Sequence, residues 1–411
     1  MARAKFNRLH EKLQLKEFKL NSLLEITKAI NENYSIDRIL NIYEYILREQ
    51  LGISKLMLYS KQSEWHCLLK YGVRGEAKKI NAEKDITHIK DITVIESSSI
   101  SSLNSFDVVI PVHHKDRPLA YLLIGDLNED EIRISPTIKH MPFIQTLTNI
   151  IIVAIENKRL AKESLEQEVA KKELEVARQM QALLFPQNLP SNNRLDVAAK
   201  YETKQMVGGD YYDFFKLNNE EYCLCIADVS GKGVSAALIM SNFQANLRAH
   251  IKYHKELTIK DMIHQLNTDV MNAADGEKFI TFFFAYYNCT SKTLKYCNAG
   301  HNYPILTNGK KSIQLDKGCI GLGMLDEIPS ISVETIPIES QMTLFCYTDG
   351  LVELENERDE AFETERLINI IHNNYDLSMS DLSEMIFSEL DRYKGDLDFL
   401  DDTAILGCRF F

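Results

Sequence analysis

The chain lacks a membrane span, a clustered set of cysteines and a basic surplus. Its densest apolar run, NIIIVAI at residues 149–155, is far short of the ~20 residues that cross a bilayer. The N-terminus is basic but has no apolar stretch of the kind a secretory signal needs, so no export signal is expected. Eight cysteines are scattered without a CxxC pair or a tight Cys–His grouping, and they read as reduced, structural thiols of a cytoplasmic protein. A net charge of −12 argues against nucleic acid or an anionic membrane as partner. What is present is an ordinary globular balance, 45% apolar and 26% charged, in 411 residues, which is room for two or three domains.

Most of the chemistry lies between Tyr201 and Leu247, in YETKQMVGGDYYDFFKLNNEEYCLCIADVSGKGVSAALIMSNFQANL. Residues 222–227 are a short apolar run suited to a strand, with Cys223 and Cys225 on one face. Residues 234–247 have helical periodicity and no breaker. Gly208-Gly209-Asp210 precedes the strand, and Asp228-Val229-Ser230-Gly231-Lys232-Gly233 follows it. A carboxylate at a strand's exit, followed by glycines that let the backbone turn sharply, is a rigid oxygen donor of the sort a hard divalent cation requires. Taken alone, the corner reads equally well as an aspartate capping a helix. The pattern recurs, however. Residues 342–348 form a strand-like run closed by Asp349-Gly350, and Asp401-Asp402 lead into another at 403–408. If these strands share one core, Asp210, Asp228, Asp349 and Asp401/Asp402 gather at one edge.

Towards the N-terminus, Leu9, Leu13, Leu20, Leu23 and Ile30 repeat at three-and-four spacing, one stripe of an amphipathic helix. Ser35 is placed to cap a second helix running to Glu49. Strands are expected at 55–60, 64–70, 107–112 and 119–126, with a turn from His114 to Pro118. This order, with the phrases LLEITKAINENYSIDRILNIYEYILREQLGISKLMLYS and VVIPVHHKDRPLAYLLIGDL, resembles a GAF-type α/β sensory domain over about residues 20–155. Trp65, His66, Cys67 and the His113-His114 pair form no ligand-spaced set, so core or surface roles are expected of them.

Residues 136–184 contain one further proline, Pro142, and no glycine. A single helix of about forty residues, about 60 Å long, is expected after Pro142. Ile151, Ile155, Leu165, Val169, Val176 and Leu183 fall on heptad seam positions, interrupted by Lys158, Lys162, Lys172 and Gln179. A solvated spacer helix fits this pattern; a weak parallel seam joining a homodimer fits it better. The helix should stop at Phe185-Pro186. The expected division is therefore 1–155 (N-terminal helix and GAF-like domain), 156–185 (helical linker) and 186–411.

In sequence and order, GGDYYDFF, ADVSGKGVSAALIM, KYCNAGHNYPIL, FCYTDGLVE and DDTAIL resemble the metal-dependent (PPM) Ser/Thr protein phosphatases, in their RsbU/SpoIIE-like bacterial branch. The segment ARQMQALLFPQNLP is of the type that leads into that domain. The resemblance implies an α+β fold, a β-sandwich flanked by helices, with two Mn²⁺ or Mg²⁺ ions at one end. Asp228 would bridge both ions, supported by the Val229 carbonyl. Asp349 and Asp401 would complete one site and Asp210 the other, with Asp402 the alternative to Asp401. Two cations about 4 Å apart acidify a shared water and clamp phosphoryl oxygens, so no serine or cysteine nucleophile is needed. All-oxygen donors suit Mg²⁺ or Mn²⁺ better than zinc.

The chain also departs from the wider pattern. Ser230 stands where many eukaryotic relatives have a histidine, and His301 where they have an aspartate; a structural hydrogen-bonding role is expected for His301. Glu363 follows Phe362 where the family usually has glycine. The resemblance further implies a phosphorylated STAS-type regulator as substrate, of the kind that releases a sigma factor by capturing its kinase. An inactive scaffold is the rival reading; it requires loss of a ligand aspartate, and none is missing.

Overall fold

A computed structural model describes residues 2–75, 80–95, 102–114, 117–125, 136–253 and 258–411. They fall into two units, Met1–Glu168 and Val169–Phe411.

In the first unit, helix α1 (Ala2–Asn31) precedes α2 (Ile36–Tyr45), and the Ser35 hydroxyl accepts the Arg38 amide as an N-cap. A π-helical turn at Ile46–Gln50 carries the helical path as far as the periodicity indicated. Then come β1 (Lys55–Lys61), β2 (Trp65–Tyr71), the short α3 (Ala82–Asp85), β3 (Thr93–Val94), β4 (Val108–His114) and β5 (Arg117–Gly125). The strands make an antiparallel sheet in the order β2-β1-β5-β4-β3. The central strands are apolar on both faces. Leu56, Leu58, Ile110, Leu122 and Ile124 pack with α2 residues such as Ile39 and Tyr43, while Met57, Val109, Tyr121 and Leu123 pack with Ile86 and Phe106. Of the expected turn at His114–Pro118, residues 115 and 116 lie outside the described residues, and its flanks belong to β4 and β5.

Helix α4 runs from Pro136 to Ala182, 47 residues, and so begins before Pro142 rather than after it. A proline near a helix start removes one backbone bond without ending the helix. Two of the expected seam residues have another role. Ile151 and Ile155 are buried in the first unit's own core, because the β-sheet supplies a drier partner than a second helix. Leu165, Val169, Val176 and Leu183 remain exposed.

The second unit contributes β6 (Leu195–Glu202), β7 (Tyr211–Lys216), β8 (Glu221–Val229), α5 (Val234–Tyr253), α6 (Ile259–Ala274), β9 (Ile280–Asn288), β10 (Thr293–Ala299), β11 (Ile305–Thr307) and β12 (Ser312–Gln314). It continues through β13 (Gly318–Cys319), β14 (Glu334–Pro337), β15 (Thr343–Tyr347), α7 (Asp349–Val352), α8 (Thr364–Asn373), α9 (Met379–Lys394) and β16 (Thr403–Phe410). One sheet runs β13-β10-β9-β8-β7 with β14 paired to β10; the other runs β12-β11-β15-β16-β6. Alternation along β16 explains how they stack. Ala404, Leu406, Cys408 and Phe410 face the first sheet, and Ile405 faces α8 and α9. The Phe410 ring meets Tyr287 of β9 with centroids 4.4 Å apart. On the far side of the first sheet, Phe282 packs on Phe243 of α5. The result is a β-sandwich with a helical layer on each outer face, the architecture expected for this region.

Candidate metal centre

Asp210 ends the loop before β7, and Asp228 is the next-to-last residue of β8 in the same sheet. Asp349 opens α7 directly after β15, and Asp401-Asp402 precede β16, both in the other sheet. The hydrogen bonds join these ends across the sandwich. The Thr348 hydroxyl donates to Asp210 Oδ2 at 2.8 Å and accepts the Ala404 amide at 2.8 Å. Asp402 takes the Gly209 amide on Oδ2 (2.8 Å) and the Lys204 amide on Oδ1 (2.9 Å). The glycines allow this closeness: a Cβ on Gly208 would sit 2.5 Å from Asp402 Oδ2, and one on Gly350 only 2.1 Å from the Asp402 carbonyl.

The two acids before the last strand have different partners. Asp402 is buried, and both its oxygens hold backbone amides, so it clamps the loop that carries Asp210. Asp401 is half-buried; its Oδ2 pairs with Lys232 at 2.5 Å and its Oδ1 accepts the Asp402 amide at 2.9 Å.

Burial and mutual repulsion dominate the electrostatics. Burial first, then Asp228, pushes Asp210 far above the usual carboxylate range, against a lowering bond from Thr348. Asp228 is pushed up to about 7 by burial and by Asp349; its side chain also hydrogen-bonds to Asp210. Burial raises Asp349 as well, with Glu353 and Asp401 adding to the effect, and burial raises Asp402. Carboxylates that repel one another in a poorly solvated corner keep protons unless a cation replaces them. That donor set, all oxygen and rich in charge, fits Mg²⁺ or Mn²⁺. Among the described residues no three acids already stand as a closed cage.

Other positions are supports. The Ser230 hydroxyl accepts the Phe279 amide at 3.0 Å, and the Ser230 amide donates back to the Phe279 carbonyl, so this serine is part of a backbone clasp. His301 is buried, with Nδ1 2.8 Å from the Thr281 hydroxyl, and Thr281 pairs with Asp228 across β8 and β9. Burial lowers its pKa to about 4, so it is a neutral tether beside the corner. Sequence reasoning missed three residues: Thr348, Lys232 as a partner of Asp401, and Gln181. The buried Gln181 side chain donates to the Gly208 carbonyl (2.7 Å) and accepts the Gly208 amide (3.2 Å), two residues from Asp210. Long-range polar bonds of this kind leave no periodicity to read; only the adjacency of Thr348 and Asp349 hinted at one.

Residues 218–411 match the sequence profile of the family "Stage II sporulation protein E (SpoIIE)". The chain is 24% identical over 370 residues to "Protein IcfG" of Synechocystis sp., across 82% of this chain and 58% of that one. It is 28% identical over 254 residues to "Phosphoserine phosphatase RsbU" of Bacillus subtilis, across 60% of this chain and 72% of that one. The match to IcfG thus spans less than two thirds of that relative's length. Among solved structures, the SiaA-PP2C domain of Pseudomonas aeruginosa superposes with a TM-score of 0.54 at 18% identity, covering 60% of this chain and 99% of that one. That likeness supports the sandwich fold. Residues 218–411, which frame the acidic corner, thus match the SpoIIE family, and the two-sheet frame has the fold of a PP2C phosphatase domain.

Proposed function

We propose that the chain is a divalent-metal-dependent phosphatase for phosphoserine or phosphothreonine on a folded protein, working in the cytoplasm and governed by its N-terminal unit. The observation that carries the reading is the acidic corner at one end of the sandwich, where burial and mutual repulsion destabilise the anions of Asp210, Asp228 and Asp349 and Asp401 stands beside them. Two Mn²⁺ or Mg²⁺ ions held by these four, with help from the Val229 carbonyl, would polarise the phosphoryl group and acidify water. The chain's own residues supply the frame. Thr348 fixes the orientation of Asp210, Asp402 ties down Gly209, and Ser230 anchors the turn after Asp228 to Phe279.

The substrate is a phosphorylated STAS-type regulator, a reading that rests on family resemblance and on charge. With a net charge of −12 the sequence gives no sign of a broad basic groove to capture phosphate, so selectivity would rest on docking of a folded partner. Phe279 and Met324 keep large apolar side chains exposed on this unit, 37% and 44%, which such a partner can cover.

Residues 1–155 act as a GAF-like sensory domain, and residues 156–185 carry its signal. The Gln181–Gly208 pair gives that route a physical end-point, since a shift of Gln181 alters the loop holding Asp210. Exposed Leu165, Val169 and Val176 supply a seam for a homodimer. The test is phosphate release by the full chain with Mn²⁺ from a phosphorylated STAS-fold protein and from a phosphopeptide cut from it. The folded protein should be the better substrate, chiefly in kcat/KM. Equal rates would remove docking from the account, and metal binding without any phosphate release would favour a scaffold.

A further inference from the structure

A phosphomonoester reaches this corner as an anion, and the corner is built from five aspartates. Two divalent cations would leave those carboxylates one negative charge in excess. Among the described residues, Lys232 is the only side chain that ion-pairs with any of the five. None of the arginines does so; Arg248 pairs instead with Asp213.

The local backbone determines where Lys232 goes. It sits between Gly231 (φ +88°) and Gly233 (φ +72°), two glycines in the left-handed region that glycine adopts freely. The turn is held on one side by the Ser230–Phe279 clasp and by Lys278, whose ammonium donates to the Ser230 carbonyl at 3.0 Å. So anchored, it directs Lys232 across the mouth of the sandwich, from the β8 end to the loop before β16. There Nζ lies 2.5 Å from Asp401 Oδ2 and 3.0 Å from the Leu400 carbonyl. An ammonium has three N–H donors, and these two acceptors occupy two of them. The side chain is 39% exposed, so an incoming group can reach it.

We propose that Lys232 is a phosphate-binding residue of this centre. Asp401 and the Leu400 carbonyl orient its ammonium, and the remaining N–H donates to a non-bridging phosphoryl oxygen of the substrate. The inference rests on the phosphatase reading above and adds to it a monovalent, protein-borne cation at the rim. It also gives the Gly-Lys-Gly turn a purpose that helix capping does not. No bond is made or broken at Lys232; its part is to hold and orient the phosphoryl group.

The test uses the full chain saturated with Mg²⁺, with inorganic phosphate titrated in by calorimetry, and a separate Mg²⁺ titration of phosphate-free protein. Lys232→Met should weaken phosphate binding about tenfold, the loss expected for one charge-assisted hydrogen bond. Lys232→Arg should recover most of it, because the charge and donors return. Mg²⁺ affinity in Lys232→Met should equal or exceed that of the natural chain, since a competitor for Asp401 has gone. Unchanged phosphate binding in Lys232→Met would overturn the proposal. So would a fall in Mg²⁺ affinity as large as the fall in phosphate affinity, because Lys232 would then merely position Asp401. A natural chain that binds Mg²⁺ and phosphate yet hydrolyses no phosphoester would instead overturn the phosphatase reading, leaving the binding comparison intact.

Discussion

Among the described residues, the first unit buries serines, a threonine, a histidine and tyrosines but no carboxylate, whereas the second buries Asp196, Asp210, Asp213 and Asp402. In the first unit the buried Tyr43 and Thr148 hydroxyls pair with each other at 2.7 Å. The second unit divides again. Asp213 is satisfied by Arg248, by the Tyr211 hydroxyl and by the Phe214 amide, and Asp196 accepts the Met379 amide. Asp210 and Asp228 have each other and a threonine hydroxyl. The two units thus differ in what they leave unneutralised, and the unneutralised acids mark the place where a ligand cation is most stabilising.

The comparison is tested hardest by replacing one acid of each kind. Asp349→Asn should lower phosphatase turnover on the order of 10³-fold with little change in far-UV circular dichroism. Asp213→Asn should leave metal dependence in place and cost about 1–3 kcal/mol of stability, because Arg248 and Tyr211 lose their acceptor. Equal loss of turnover in both variants would erase the distinction.

Next in size is the stabilisation by metal. Mn²⁺ at about a hundred times its Kd adds about 2.7 kcal/mol to the folded state. A rise in Tm of several degrees should follow, and it should vanish in Asp349→Asn.

His301 and the aspartates shift in opposite senses, although burial is the main cause for both. The folded protein keeps His301 neutral down to about pH 4, while the unfolded chain takes up the proton near 6.5. The stability this group contributes is therefore present above pH 6.5 and is lost as pH falls towards 4. By pH 5 the natural chain should lose about 2 kcal/mol relative to its value at pH 7, a loss that His301→Gln should lack. Denaturant midpoints of the two proteins at both pH values measure it.

Neighbours in sequence make a finer comparison. Asp401→Asn should weaken cation binding with little cost in stability, whereas Asp402→Ala should cost about 1–2 kcal/mol by stranding the Gly209 and Lys204 amides. The smallest effect concerns Glu363, which stands at φ +65°, ψ 151°, backbone that suits glycine. Glu363→Gly should raise stability by about 1 kcal/mol in the same denaturant assay.

Glu363 shows what the sequence makes legible. The departure from the family's glycine singled out a local turn, and Glu363 there has a positive φ of 65°. The strands beside Asp228, Asp349 and Asp401 could be read because each is a short apolar run with an acid at one end and a glycine or a second acid close by. Neither the Thr348–Asp210 bond nor the Gln181–Gly208 pair could be read, since each joins residues distant in sequence that only the packed unit brings together. Ile151 and Ile155 lie on the heptad stripe yet belong to the first unit's core, for a related reason. A heptad stripe looks the same whether a partner helix or the chain's own sheet covers it.

The central claim is that the acidic corner is a metal-dependent phosphatase centre. Its most direct test is the initial rate of aryl phosphate hydrolysis by the full chain as Mn²⁺ is titrated in, beside Asp228→Asn. The account predicts a saturable rise from a negligible metal-free rate in the natural chain and a flat response in the variant. Hydrolysis independent of metal, or an Asp228→Asn protein that follows the natural curve, would contradict it.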